Sequence, residues 1–96
     1  MKFSWDPTKR EKVLADHKVD FDKIKDIFED PFAIEDIDEI HSSVEDIRFT
    51  IIGLTREYGL VFLAFTETVE SNLRFITARR AENWMKKIYD EARSKR

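Results

Sequence analysis

A chain of 96 residues with 42% hydrophobic and 12% aromatic content has room for one core and reads as a single domain, 1–96, too apolar for wholesale disorder. Its lack of cysteine excludes a disulfide framework and thiolate metal sites, and fits a reducing cytoplasm. A net charge of −3 counts against non-specific nucleic-acid binding; the longest apolar run, Leu60 to Phe65, is too short to cross a bilayer, and the N-terminus has no apolar signal region, so the expectation is a soluble cytoplasmic protein without a membrane partner.

Lys2 to Trp5 alternates polar and apolar residues, a short strand signal. Asp6-Pro7 then predicts a helix start, with Asp as cap and Pro in the first turn, running to about His17. A second helix is expected after Asp20, with Phe21, Ile24, Ile27 and Phe28 on one face and Asp30-Pro31 as its end. Phe32 to Ile37 is a candidate strand. Ile47 to Ile52 alternates as a strand, and Gly53 reads as a bulge or the strand end. Tyr58-Gly59 is turn chemistry. Leu60 to Phe65 is apolar on both faces and predicts a central strand. Asn72 to Thr77 follows, with Leu73, Phe75 and Thr77 on one face and Arg74 and Ile76 on the other. Ala81, Trp84, Met85, Ile88, Tyr89 and Ala92 form one apolar stripe of a last helix. The fold class expected is α+β, an antiparallel sheet meander with two N-terminal helices and one C-terminal helix, in the order β-α-α-β-β-β-β-α.

Charge is distributed unevenly. Residues 1–73 hold 9 basic and 17 acidic side chains, whereas residues 74–96 hold 8 and 3. Arg74, Arg79 and Arg80 crowd the basic part, at an expected strand end and helix start. Guanidinium forks match phosphate, so the cluster points to an anionic partner; a solvated helix terminus is the plain alternative. With two glycines in all, no glycine-rich phosphate loop exists, and His17 and His41 lack metal-ligand spacing, so no cofactor and no metal is expected. Cationic and histidine chemistry remains. RNA carries its own nucleophile, the 2′-hydroxyl, and its cleavage needs a base, an acid and cations for the charge on the phosphorane. His17 at the end of the first helix suits acid–base work, because imidazole changes charge near neutral pH. Lys9, two turns earlier, lines the same helix face. Tyr89 places a hydroxyl at the edge of the last helix's stripe, while Trp5 and Trp84 read as core. Residues 20–46 carry 11 acidic and 2 basic side chains, a surface fitted to a basic partner.

The segments Phe3-Ser4-Trp5-Asp6-Pro7-Thr8-Lys9, His17-Lys18-Val19-Asp20-Phe21 and Ile27-Phe28-Glu29-Asp30-Pro31 are followed in order by Arg48-Phe49-Thr50-Ile51-Ile52-Gly53 and Arg74-Phe75-Ile76-Thr77-Ala78-Arg79-Arg80-Ala81. Together with Tyr89, this series resembles BrnT-type toxins of bacterial toxin–antitoxin pairs. The resemblance implies a compact RelE-like fold, a ribonuclease activity on RNA, and a cognate DNA-binding antitoxin through which the pair reaches its own operator DNA. On a ribonuclease reading, Arg74 and Arg79 are assigned to the scissile phosphate, His17 to acid–base work, Lys9 to electrostatic help, Tyr89 to hydrogen-bond donation, Arg48 to RNA binding, and Arg80 to a neighbouring RNA phosphate or the antitoxin. The chain departs from the family at Val13, Asp16, Lys18 and Thr77, where Asn, Lys, Gly and Ser are often found. A non-catalytic anion- or protein-binding module is the rival reading.

Overall fold

The computed structural model describes residues 1–68 and 71–95. Strand β1 (Lys2–Trp5) leads into helix α1 (Pro7–His17), two short 3-10 helices (Phe21–Lys23 and Lys25–Glu29), strands β2 (Ile34–Ile37), β3 (Arg48–Thr55), β4 (Gly59–Thr68) and β5 (Asn72–Arg80), and helix α2 (Asn83–Ser94). The strands form one sheet in the order β1-β5-β4-β3-β2. Strands β2 to β5 are the expected antiparallel meander, and β4 is its centre.

Two expectations of the element order and sheet are corrected. The sheet is mixed, because β1 joins the free edge of β5 in parallel, Lys2 opposite Asn72 and Trp5 opposite Phe75. The second helix is not an α-helix but two 3-10 turns broken at Ile24. Phe21, Ile24 and Ile27 recur every third residue and all are fully buried, so the three-residue period of a 3-10 helix keeps them on one side. Asp20 caps the first turn by accepting from the Asp22 N–H at 3.0 Å.

The turns and α1 cover one face of the sheet. Beneath them lie Val61, Leu63, Phe65, Leu73, Phe75 and Ala78, with Phe3, Trp5, Phe28 and Phe49 at the margin. Aromatic rings knit this layer: Phe75 meets Phe3, Trp5 and Phe21 at centroid distances of 5.7, 5.6 and 5.7 Å. Gly53 is neither a bulge nor a strand end. It stands in register opposite Val61, and a Cβ there would come within 2.7 Å of Ile27 Cγ1. Glycine therefore lets β3 approach the second 3-10 turn.

Helix α2 packs against β3, burying Met85 and Tyr89. Its first residue is Asn83, not Ala81, because β5 continues through Arg80. The expected apolar stripe is only half covered: Trp84 is 54% and Ile88 42% exposed. Among the described residues no helix is long and apolar enough to cross a membrane.

Candidate active site

Strand β5 carries the arginines, and its register decides where they point. Ala64 lies opposite Thr77, but Phe65 lies opposite Phe75, so Ile76 is an extra residue, a β-bulge. In a regular strand, residues five apart face opposite sides of the sheet. The bulge resets the alternation. Leu73, Phe75 and Ala78 point into the core, whereas Arg74, Thr77 and Arg79 all stand exposed on the other face. The simple alternation expected for Thr77 is thereby overturned, and Arg74 and Arg79 share one surface because of it.

Cross-strand pairing extends that surface. Arg48, Thr66 and Arg74 lie side by side on β3, β4 and β5, and the row of Ile52, Phe62 and Arg79 runs parallel to them. With neighbouring strands about 4.8 Å apart, Arg48 and Arg74 rise from backbones about 10 Å apart. The Arg79 guanidinium stacks over the Phe62 ring at 4.9 Å and meets Glu82 Oε1 at 3.3 Å. A half-exposed pair of this kind contributes under about 1 kcal/mol and reaches the guanidinium at one nitrogen, which leaves its other donors for a phosphate. Arg79 and Arg80 are strand residues rather than helix-start residues, because β5 runs through Arg80 and α2 begins at Asn83.

Helix α1 supplies the second half of the site. Asp6 caps it, accepting from the Thr8 N–H at 2.9 Å, with Pro7 as its first residue. Strand β1 pairs only with Asn72 to Phe75, and α1 packs beside β5 beyond it. Lys9, Lys12, Val13, Asp16 and His17 recur at helical spacing and, with Ile76 and Thr77, line a cleft of about 250 Å³. Lys9 and His17 are thus brought together as expected. Thr77 belongs to both halves, a wall of the cleft and the middle of the arginine-bearing face, and Arg79 is two residues, or about 7 Å, farther along the strand. Lys12 and Thr77 were not singled out as site residues from the sequence; the signal for Lys12 was its i+3 spacing from Lys9.

The remaining candidates lie elsewhere. Arg80 points away from Arg79, over the Tyr58 ring at 5.5 Å, and the Tyr58 hydroxyl accepts from the Asp20 N–H at 3.1 Å. Asp20 also takes a two-pronged bond from Arg10 at 2.8 and 3.0 Å, which holds its carboxyl below the usual range. Tyr89 is buried, and its hydroxyl donates to Asp30 Oδ2 at 2.7 Å. Burial first, and then that bond to a carboxylate, push the phenol up to about 12. Burial works against Asp30's charge, yet donors from Leu54, Tyr89 and Phe32 outweigh it and hold the carboxyl low. Tyr89 therefore ties α2 to the turn that precedes β2. Among the described residues no group of three His, Asp or Glu side chains is placed to hold a metal ion.

Comparison with known proteins bears on this arrangement. The family model described as the ribonuclease toxin, BrnT, of type II toxin–antitoxin systems matches residues 5–83, a span that includes α1, the bulge and all the site arginines. Among solved structures, the chain is similar to the 1.1 Å crystal structure of the Brucella abortus ribonuclease toxin BrnT, with a TM-score of 0.66 and 23% sequence identity, covering 86% of this chain and 99% of that one. At that identity the likeness speaks for the fold. No curated protein matches the chain. The span of the family match and the shared fold lead to one conclusion: this chain belongs to the BrnT family of ribonuclease toxins of type II toxin–antitoxin systems.

Proposed function

We propose that the protein is a metal-independent endoribonuclease whose site is the cleft between α1 and β5 together with the adjoining arginine face. The observation that carries this reading is the bulge at Ile76, which puts Arg74 and Arg79 on either side of Thr77, the residue that also walls the Lys9–His17 cleft. A phosphodiester held by Arg74 and Arg79 places its ribose toward the cleft. There His17 removes the 2′-hydroxyl proton, the oxygen attacks phosphorus, and the bond from phosphorus to the 5′-oxygen breaks as that oxygen takes a proton from water, giving a cyclic 2′,3′-phosphate and a 5′-hydroxyl end. Lys9 and Lys12 stabilise the dianionic phosphorane electrostatically. Asp16 lines the same cleft. Arg48, in the row of Arg74, takes a flanking phosphate, and Arg80 takes a more distant phosphate or the antitoxin. Tyr89 has no part in the chemistry, since its hydroxyl is committed to Asp30.

The partner in this reading is a DNA-binding antitoxin that neutralises the toxin and carries the pair to operator DNA. Edge strand β2 and the loop after it support such docking. They expose Ile37, Ile40, Val44 and Ile47 among Glu35, Asp36, Asp38, Glu39, Glu45 and Asp46, apolar anchors within an acidic field. The test is incubation of purified, antitoxin-free protein with RNA in EDTA. Cleavage products ending in 5′-hydroxyls are expected. Intact RNA at every enzyme loading, or cleavage abolished by EDTA and restored by a divalent cation, would remove the proposal.

A further inference from the structure

Trp84 is the most conspicuous side chain that the chemistry above leaves unused. It is a large aromatic on the first turn of α2, 54% exposed, with its indole Nε1 donating to Glu82 Oε2 at 3.0 Å. The other oxygen of the same carboxylate holds Arg79. One side chain therefore fixes both the guanidinium assigned to phosphate and the indole beside it. Lys87, one turn farther along α2, lines the same open depression as Glu82, Asn83 and Trp84.

We infer that Trp84 is the stacking platform for an unpaired nucleobase next to the scissile phosphate, with Glu82 as the positioning residue that sets the distance between indole and guanidinium. This rests on the ribonuclease reading and names the form of its substrate, single-stranded RNA with a base free to leave its own stack. Burial alone does not account for the ring, because half of it is in water and its only polar group is already satisfied by Glu82. A protein partner would use such a ring as an apolar anchor, but it would then face the cations Arg79 and Lys87. Those cations match the phosphates on either side of a stacked base. Every base presents a π-face, so the platform contributes affinity without selecting one base.

Two arms test this. In the first, steady-state cleavage of a single-stranded RNA is compared for wild type, Trp84→Leu and Trp84→Phe. Loss of the aromatic face in Trp84→Leu raises KM roughly tenfold while kcat stays within about twofold, and Trp84→Phe recovers most of the difference. Because Trp84 is exposed, thermal stability stays near wild type. In the second arm, the same proteins are titrated with an uncleavable 2′-O-methyl oligoribonucleotide and affinity is read by fluorescence anisotropy of a dye on the oligonucleotide. This arm is independent of catalysis, so it decides the inference even if wild type cleaves nothing. Equal affinity of wild type and Trp84→Leu, or a Phe variant as weak as the Leu variant, overturns the platform. Unchanged affinity for RNA combined with lost binding of the antitoxin assigns the ring to the protein interface instead.

Discussion

His17 is the residue whose role is most directly open to measurement. It lines the cleft with Lys9, Lys12 and Asp16, at the last turn of α1. If its imidazole moves the proton, His17→Ala lowers kcat/KM by at least about a hundredfold. A variant that cleaves at the wild-type rate would return His17 to a structural role. Lys18 next to it shows a different kind of constraint. It closes α1 in the left-handed conformation, φ 59° and ψ 32°, with its N–H donating to the Leu14 carbonyl at 3.1 Å. Glycine adopts that conformation without a Cβ penalty, so Lys18→Gly is expected to stabilise the fold by up to about 1 kcal/mol in chemical denaturation. The placement of single residues was legible in the sequence where it depended on helical spacing, as for Lys9 and His17 along one cleft. It was not legible where burial decides. Tyr89 and Trp84 lie on one apolar stripe in sequence, yet the first is sealed against Asp30 and the second stands in water.

At the scale of elements, the strands, α1 and the meander could be read from alternation, capping and turn residues. Three features could not. The parallel docking of β1 depends on which sheet edge stays open, a long-range property that four residues do not encode locally. The pair of 3-10 turns shares its apolar spacing with an amphipathic helix over so short a span. The bulge at Ile76 adds one residue with no glycine to mark it, and it inverts the face assigned to everything after it. Gly53 illustrates how tightly these elements are fitted. Gly53→Ala drives a methyl against Ile27 Cγ1 and the Ala33 side chain, at 2.7 and 3.2 Å, and is expected to destabilise by about 1–3 kcal/mol in urea unfolding. A neutral effect would mean that the second 3-10 turn yields more easily than its fully buried Ile27 implies.

For the whole molecule, the titrating groups set a window of stability. Asp20 and Asp30 are held low in the fold, so the stability they contribute is present above the unfolded carboxylate value near 3.9 and is lost as pH falls below it. Tyr89 is pushed up to about 12, so its contribution is whole below the unfolded phenol value near 10 and is lost as pH climbs from there toward 12. Thermal melts across pH are therefore expected to plateau between these limits and fall at both ends, with Tyr89→Phe removing the alkaline decline. The molecule as a whole is a sheet with one face given to the core and part of the other given to cations, joined to a helix-lined cleft by one irregular residue. The measurement that tests this most directly is the RNA cleavage rate of the Arg74→Ala, Arg79→Ala double variant, taken alongside its melting temperature. The account predicts a rate at least about a hundredfold below wild type, as for lost transition-state contacts, with melting lowered only by the small contribution of Arg79's contacts to Phe62 and Glu82. A double variant that folds and cleaves RNA at the wild-type rate would contradict it.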